Sequence, residues 1–230
     1  MAYKIAEKEK VLLPVLINID GFIHSYTRTE VDIPSQSLVD KFLPKLNQKI
    51  KLDVNNPQTL GIPVLEHYMF FRSQLHKAIL DSKNIIKRVH SKWLKLTGRR
   101  YDVIERYKLN DAKTAIIMMG ANTTIAKSAI DTLRKKGKKI GLLRIRLVRP
   151  FPEKEIQNAL KNIKKIAILD QNISPGQAGI LYTETKGIFD KKIISNYIIG
   201  LGGKPISEKE LIQIFTEVLK SNKEQRKWLL

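Results

Sequence analysis

The stretch Lys138–Pro152, KKIGLLRIRLVRPFP, constrains the fold more than any other part of the sequence. Arg144 and Arg146 alternate with apolar residues, and in a strand such neighbours face opposite sides. Two prolines end the apolar run, because proline cannot donate to a strand ladder, and the acidic residues that follow favour the start of a helix. A strand over 139–149 and a helix over 152–163 are therefore predicted, as in the middle of an α/β unit.

The same alternation of strands and helices extends from Tyr101 to the end of the chain. Glycines, serines and prolines mark the borders of these elements. The alternation predicts an α/β fold with a mainly parallel sheet flanked by helices and right-handed crossovers. The predicted strands are Thr114–Met119, Ile166–Leu169 and Ile193–Ile199, and the predicted helices run from Asn122 or Thr123 to Arg134, from Ser174-Pro175 to about Phe189, and over Glu208–Leu219 behind a Ser207/Glu210 capping box.

The clearest helix is predicted over residues 63–97, where apolar residues recur at helical spacing and Gly98 provides a stop. His67, His76 and His90 lie on or near this helix. Their spacings do not match the i, i+4 pair of helical metal sites, so solvated or packing histidines are favoured over ligands.

The first sixty residues read as a buried strand, a polar loop and a crossing segment. Val11–Ile19 is a nearly continuous apolar run, which predicts a strand buried on both faces that needs a sheet beside it. The loop Asp20–Thr29 follows, at a position where α/β proteins place ligands. Residues 31–62 are rich in proline and predict little regular structure beyond a helix at Ser35–Phe42, capped by Ser35.

Charge and composition restrict the class of protein. The 42 Lys and Arg residues against 22 Asp and Glu give a net charge of +20, which suggests a nucleic-acid or acidic partner. The excess is mostly lysine spread along the whole chain, so a generic solvated surface is favoured over a specific nucleic-acid site. The absence of cysteine excludes disulfides and any iron–sulfur cluster held by this chain alone. Without a secretory or membrane-spanning pattern, a cytoplasmic location is predicted.

Three strand ends could hold a ligand: Gly120–Asn122, Asp170–Asn172 and Gly200–Gly203. The first of these is not a GxGxxG motif, and the sequence has no Walker A motif. An aspartate that caps a loop is commoner than a catalytic one, which makes a structural role for Asp170 the favoured interpretation. The sequence therefore predicts an α/β module without a recognisable complete active site.

A series of motifs adds a resemblance that covers essentially all 230 residues. The run from Pro14, PVLINIDGFIHSYTRTEVDIPSQSLVDKFLP, resembles the stretch that closes the first domain of 2-oxoacid:ferredoxin oxidoreductase alpha subunits, the pyruvate type above all. The segments YMFFRSQLHKAI, GLLRIRLVRPFPEKEI, ILDQNISPGQAGILYTE and YIIGLGG follow in the same order as in that family. The resemblance implies that the second half is similar to the C-terminal domain of transketolase.

The resemblance also implies a division of the chain. Residues 1–30 would be the incomplete end of a thiamine-diphosphate pyrimidine-binding domain, 31–100 a crossing segment with the long helix, 101–220 the transketolase-like domain and 221–230 a tail. The family's cofactor-activating glutamate has no matching position, so no catalytic residue is carried over. A cleft loop with Asp20, Gly21, Ser25 and Thr27 is the candidate cofactor contact, although a domain-interface loop is the favoured interpretation.

The function implied is that of the C-terminal part of such an alpha subunit, with a structural and interface role. The complete complex would convert pyruvate to acetyl-CoA and reduce ferredoxin, using thiamine diphosphate, Mg and iron–sulfur clusters that this chain alone does not bind. Its partners would be beta, gamma and delta-type subunits and the missing N-terminal alpha domain, with ferredoxin and coenzyme A acting at the complex, and the isolated chain is expected to be inactive. Two alternatives remain: a basic nucleic-acid-binding α/β module and a component of another transketolase-like 2-oxoacid dehydrogenase.

Overall fold

The structure, a computed structural model, describes residues 1–21, 23–48, 51–59, 61 and 65–230. The chain forms two compact units, Met1–Asn18 with Thr29–Asp102 and Ile19–Arg28 with Val103–Leu230. Some positions of the predictions above lie outside the described residues: Phe22 in the polar loop, Lys49, Ile50, Leu60 and Ile62 in the crossing segment, and Pro63 and Val64 at the start of the long helix.

The sequence predicts two of the helices before residue 100, but the short helix at Ile23–Tyr26 lies in the predicted polar loop. The helices are α1 (Ala2–Ala6), α2 (Ile23–Tyr26), α3 (Gln36–Phe42) and α4 (Tyr68–Thr97), with a 3-10 turn at Leu65–His67. Ser35 accepts a hydrogen bond from the backbone N–H of Leu38 at 3.4 Å, which confirms the predicted cap of α3. Gly98 ends α4 with φ 69°, in the left-handed conformation that glycine adopts at low cost.

The first unit buries only part of its apolar surface. Phe42 of α3 packs edge-to-face on Trp93 of α4, with ring centroids 4.9 Å apart, and Ile85, Ile86 and Val89 are buried beside them. The predicted apolar stripe of α4 continues into its first turns, but there the side chains are exposed, including Tyr68, Met69, Phe70 and Phe71. Of the helices in the described ranges, none is long and apolar enough to cross a membrane.

The predicted strand at Val11–Ile19 is wrong for this structure. No strand is assigned in this segment, and Leu16 and Ile17 are 90% and 68% exposed. Val11 alone in the segment is buried. A run of apolar residues becomes a strand only beside another strand, and the sheet of the second unit takes its two edges from other parts of the chain.

The second unit is an α/β sandwich that confirms the predicted fold class. Its sheet has six strands in the order β1-β3-β2-β4-β5-β6. Strands β2 to β6 are parallel to one another, and β1 is antiparallel to β3. The elements are β1 (Ile104–Tyr107), β2 (Thr114–Met118), α5 (Thr123–Lys135), β3 (Ile140–Ile145), α6 (Glu153–Leu160), β4 (Lys165–Asp170), α7 (Ile180–Lys186), β5 (Ile193–Ile198), a 3-10 turn (Leu201–Gly203), α8 (Glu208–Lys220) and β6 (Arg226–Trp228).

Two apolar layers hold the helices on opposite faces of this sheet. One layer joins α5 and α8 to residues such as Leu142 and Tyr197. The other joins α6 and α7 to residues such as Leu143 and Ile168. Leu142 and Leu143 are adjacent in the central strand and are both fully buried, because successive side chains point to opposite faces and both faces are covered.

Several predicted borders move in the structure. The central strand predicted over 139–149 ends at Ile145, because beyond it the backbone N–H groups of Arg146 and Leu147 bond to the carbonyl of Val103. The helix predicted over 152–163 is shorter, Glu153–Leu160. The helix predicted to start at Ser174-Pro175 begins only at Ile180, since the chain first makes a turn in which Gly176 has φ 83°.

The sequence does not predict either edge strand of the sheet, β1 or β6. Ile193–Ile199 was expected to contain the last strand, but Arg226–Trp228, in the predicted tail, adds β6 parallel to β5. Its backbone joins the sheet through hydrogen bonds such as Leu229 N–H to the carbonyl of Ile198, at 2.9 Å. The segment at 226–228 has three exposed side chains and no apolar alternation, so nothing in its sequence marks it as a strand.

Candidate functional site

The sheet has a topological switch point between β2 and β4. The strand β3 lies on one side of β2 and β4 on the other, and the following helices α5 and α7 cover opposite faces. In open α/β sheets the crevice at such a point, beyond the carboxyl ends of the strands, is where ligands bind. Because β2, β4 and β5 are parallel, the three predicted strand ends Gly120–Asn122, Asp170–Asn172 and Gly200–Gly203 lie at this same edge.

The side chain of Gln171 lies in this crevice, between two glycine turns. A Cβ atom added to Gly120 would stand 3.4 Å from its Oε1, and one added to Gly200 would stand 3.4 Å from its Nε2. Both glycines have positive φ, 75° and 60°, which fits the tight turns that end β2 and β5. The Gln171 side chain therefore lies between the turns after β2 and β5, beyond the end of β4.

Asp170 is the most buried charged residue of the edge, at 1% exposure. One carboxylate oxygen accepts from the backbone N–H of Leu181 at 2.8 Å. The other accepts from the N–H of Tyr182 at 3.2 Å and from the side-chain amide of Asn196 at 2.9 Å. Burial raises the pKa of the Asp170 carboxyl, and these three donors oppose that rise without cancelling it.

Asn196 and Gly179 complete the arrangement around Asp170. The side-chain oxygen of Asn196 accepts from the N–H of Gly179 at 3.0 Å, and its amide also donates to the carbonyl of Ile168 at 3.2 Å. A Cβ at position 179 would stand only 2.1 Å from Oδ2 of Asp170, so the backbone can pass there only as glycine. Asp170, Asn196 and Gly179 thus fasten the start of α7 to the ends of β4 and β5.

This geometry assigns Asp170 a structural task. Each of its oxygens already accepts at least one hydrogen bond from the protein, and the side chain is out of water. A general base needs a lone pair directed at a substrate proton. The interpretation favoured by the sequence, an aspartate that caps a loop, agrees with this arrangement, and the capped backbone groups belong to α7.

A second charged group lies where β1 and β3 pair, around Glu105. Its carboxylate accepts from Lys127 and, at 2.5 Å, from Arg146, and lies 3.6 Å from Arg144. Burial disfavours the charged form, but the hydrogen bond from Lys127 and the three positive charges outweigh it and hold the pKa of Glu105 below its usual value. Arg144 in β3 and Arg146 just beyond its end therefore share one carboxylate with Lys127 of α5.

Replacing Glu105 by glutamine is expected to reduce the free energy of unfolding by about 1–2 kcal/mol at neutral pH. A lowered folded-state pKa stabilises the fold above the unfolded value near 4.5, and this contribution disappears as the pH falls through the folded-state pKa. Urea unfolding of the wild type and of Glu105→Gln at several pH values should therefore give curves that converge in acid. Glu184→Gln, which breaks the single ion pair with Arg149, is the control and should change stability by less than about 0.5 kcal/mol. A penalty for Glu105→Gln that stays constant into acid would contradict the assignment.

The predicted cleft loop is solvent-facing in its described part. Gly21, Ser25 and Thr27 are exposed, and Asp20 is half-buried. The hydroxyl of Ser25 in α2 donates to the carbonyl of Gly21, which precedes this helix. The structure therefore shows a local turn here, and a ligand contact by Asp20, Gly21, Ser25 or Thr27 stays a prediction.

The histidines do not gather into a ligand set. His67 and His76 are exposed and His90 is half-buried. In the described part of the chain, no three or more His, Asp or Glu side chains are grouped so that they could hold a metal ion.

A basic cavity of about 280 Å³ lies beside α7 and β6, and no sequence pattern predicts it. Tyr182, Lys186 and Arg226 are among the residues that line it. The i, i+4 spacing of Tyr182 and Lys186 on a helix could have signalled a pair, but Arg226 comes from the edge strand that the sequence did not reveal.

Comparison with known families gives two matches. Residues 112–211 match the family described as pyruvate:ferredoxin oxidoreductase core domain II. Residues 1–91 match the family described as pyruvate flavodoxin/ferredoxin oxidoreductase, thiamine diphosphate-binding.

Curated relatives carry related names. Pyruvate synthase subunit PorA of Methanothermobacter thermautotrophicus is 38% identical over 93% of this chain and 56% of its own length. The PorA subunit of Methanocaldococcus jannaschii is 39% identical over 99% of this chain and 60% of its own length. Ketoisovalerate oxidoreductase subunit VorA of Pyrococcus horikoshii is 37% identical over 96% of this chain and 57% of its own length. The chain thus spans somewhat more than half the length of these relatives.

Among solved structures, a 2-oxoglutarate:ferredoxin oxidoreductase from Magnetococcus marinus aligns with a TM-score of 0.45 and 19% identity. The alignment covers 61% of this chain and 24% of that one.

Proposed function

We propose, since this chain belongs to the family of pyruvate:ferredoxin oxidoreductase alpha subunits, that it provides structure and interfaces in a complex that oxidises pyruvate. That complex would decarboxylate pyruvate, pass the acetyl group to coenzyme A and reduce ferredoxin. The observation that carries the proposal is the pair of family matches at 1–91 and 112–211, together with PorA relatives at 38% and 39% identity over nearly the whole chain. These findings support this interpretation rather than a nucleic-acid-binding module or another 2-oxoacid dehydrogenase component.

The exposed apolar surface of the first unit supports an interface role. The side chains of Leu16 and Ile17 are exposed, and so are those of Met69 and Phe70, at 85% and 59%. Single exposed apolar residues are ordinary on protein surfaces, whereas a run of large ones on a helix is typical of a binding surface. Partner subunits of beta, gamma and delta type, and a pyrimidine-binding-type domain, are the proposed occupants of such surfaces.

Thiamine diphosphate, Mg and iron–sulfur clusters are proposed for the complex and not for this chain alone. The described residues of the range 1–91 do not fit a diphosphate and its metal: Ser25 is turned to the carbonyl of Gly21, and no metal-binding group of His, Asp or Glu is formed there. With no cysteine, the chain also lacks the usual ligands of an iron–sulfur cluster. No catalytic residue is therefore proposed in this chain, and a cofactor contact by Asp20, Gly21, Ser25 or Thr27 in the complete complex stays a prediction.

Reconstitution tests the proposed function. The chain is combined with the remaining subunits of the complex, and reduction of ferredoxin or a viologen dye is followed with pyruvate and coenzyme A. Turnover is expected only in the complete mixture and not with the isolated chain. A second arm with ketoisovalerate tests the substrate class, because relatives of both names resemble the chain. Equal turnover with and without the chain would refute the proposal.

A variant pair links that activity to the exposed face of α4. Phe70→Ser is expected to weaken assembly at least about tenfold, since an aromatic side chain at the centre of an interface commonly contributes about 2 kcal/mol or more. Lys77→Ser alters an exposed residue of the same helix and should assemble like the wild type. Assembly is measured by analytical ultracentrifugation, and unchanged melting curves would exclude a folding defect. Normal assembly of Phe70→Ser would remove this surface from the interface.

A further inference from the structure

The cavity beside α7 and β6 involves none of the residues on which the proposed function rests. Its volume is about 280 Å³, and its lining includes Gln177, Tyr182, Thr183, Lys186 and Arg226. Pockets for drug-sized ligands have roughly 300–1,000 Å³, so this one suits a smaller molecule or one group of a larger one.

Tyr182 forms the inner wall and is itself 3% exposed. Its hydroxyl oxygen accepts from Lys186 Nζ at 2.9 Å and from an Arg226 guanidinium nitrogen at 3.4 Å. Both cations also lie over its ring, 5.4 Å and 5.3 Å from the centroid. With both lone pairs of the oxygen used, the phenol proton is left to donate, and the hydrogen bonds of the described residues give it no acceptor.

The positively charged side chains around the cavity outnumber the carboxylates that pair with them. Lys186 pairs with Glu224 at 2.8 Å, and the hydrogen bonds to Glu224 and Tyr182 raise the pKa of Lys186, so that it is protonated at neutral pH. For Arg226, the ion pairs of the described residues include no carboxylate partner. The neighbouring Glu184 of α7 is paired with Arg149 instead. One positive charge thus remains beside a buried phenol donor.

We propose that this cavity binds the phosphoryl group of a small phosphorylated ligand, with Tyr182, Lys186 and Arg226 as donors. A phosphoryl group offers three terminal oxygens to three donors of different kinds, whereas a carboxylate offers two. The planar guanidinium of Arg226 can donate two parallel hydrogen bonds to such a group, and the ammonium of Lys186 adds a point charge. The proposal concerns residues outside the crevice at the switch point and is independent of the proposed function.

The competing explanation is that the three side chains merely fasten β6 to α7 by stacking. Titration calorimetry of the full chain at constant ionic strength, with inorganic phosphate and with acetate as probes, separates the two. Phosphate is expected to bind at least about fivefold more tightly than acetate, and Arg226→Gln to weaken phosphate binding at least about tenfold. Tyr182→Phe keeps the ring and its stacking but removes the phenol donor, and should weaken binding about threefold or more.

Lys227→Gln is the matched control, because it removes the same charge one position along β6. Its side chain points to the opposite side of the strand and pairs with Glu217. Phosphate binding by Lys227→Gln should stay within about twofold of the wild type. Binding of acetate as tightly as phosphate, equal losses in Arg226→Gln and Lys227→Gln, or unchanged binding in Tyr182→Phe would each overturn the proposal. If Arg226→Gln unfolds β6, phosphate binding by Tyr182→Phe alone distinguishes a binding site from mere stacking.

Discussion

Asp170→Ala is expected to lower the free energy of unfolding of the second unit by about 3–5 kcal/mol. The substitution leaves the backbone N–H groups of Leu181 and Tyr182 and the amide of Asn196 without their acceptor. Each buried donor without a partner costs about 1–3 kcal/mol, and partial relaxation or water entry recovers some of the total. Urea unfolding followed by circular dichroism measures the loss.

Asp190→Ala is the control for this variant, since Asp190 is an exposed aspartate just beyond α7. It should change stability by less than about 0.5 kcal/mol. Hydrogen exchange adds a second readout, because the amides of Leu181 and Tyr182 should exchange faster in Asp170→Ala than those of the central strand β3. A loss below 1 kcal/mol, or unchanged protection of these two amides, would contradict the role of Asp170 as the anchor of α7.

The elements predicted correctly are those whose ends are determined by neighbouring residues in the sequence. Helix α8 begins at the predicted capping box, where the Ser207 hydroxyl accepts from Glu210 N–H at 3.2 Å and the Glu210 carboxylate accepts from Ser207 N–H at 2.7 Å. Gly98 stops α4 for an equally local reason. The parallel strands β2 to β5 are apolar on both faces, which predicts burial under helices before any pairing is known.

The elements that were missed depend on residues far away in the sequence. The strand β6 exists because β5 offers a free edge, and its own residues, Arg226–Trp228, carry no strand pattern. Val11–Ile19 shows the reverse, since a strong apolar pattern gives no strand without a partner beside it. Hydrophobic periodicity reports which faces prefer burial, but it does not report which neighbour is present.

In the candidate site, too, the sequence predicts some features, and others depend on residues far apart in the chain. Parallel strands bring their ends to one edge, so the three strand ends could be predicted from the sequence. The position of Gln171 between two glycine turns, and the link between Asp170 and Asn196, join residues of separate strands and turns. The same holds for Arg226 and Tyr182, which are 44 residues apart in the chain. No local pattern predicts such pairs.

Gly179→Ala is expected to destabilise the second unit by about 2–3 kcal/mol, as an overpacked core does. The backbone at position 179, φ −61° and ψ 146°, is favourable for alanine, so the penalty comes from the methyl group alone. That methyl group would stand 2.1–2.5 Å from the side-chain atoms of Asp170 and would push the carboxylate away from Leu181 and Tyr182. Gly187→Ala is the control, since a Cβ there meets nothing within 4 Å and the backbone has negative φ, so stability should change by less than about 1 kcal/mol.

The double variant Asp170→Ala/Gly179→Ala tests whether the two effects share one cause. Removal of the carboxylate also removes the atoms that the new methyl group would meet. The double variant should therefore be destabilised by about the same amount as Asp170→Ala alone, with a coupling energy that equals the Gly179→Ala penalty of about 2–3 kcal/mol in the double-mutant cycle. Urea unfolding of the four proteins under one set of conditions gives this energy. If the losses in the free energy of unfolding of the two single variants simply add, the close approach of Asp170 and Gly179 does not hold α7 in place. The hydrogen bond from Gly179 N–H to Asn196 would then be the contact that does so.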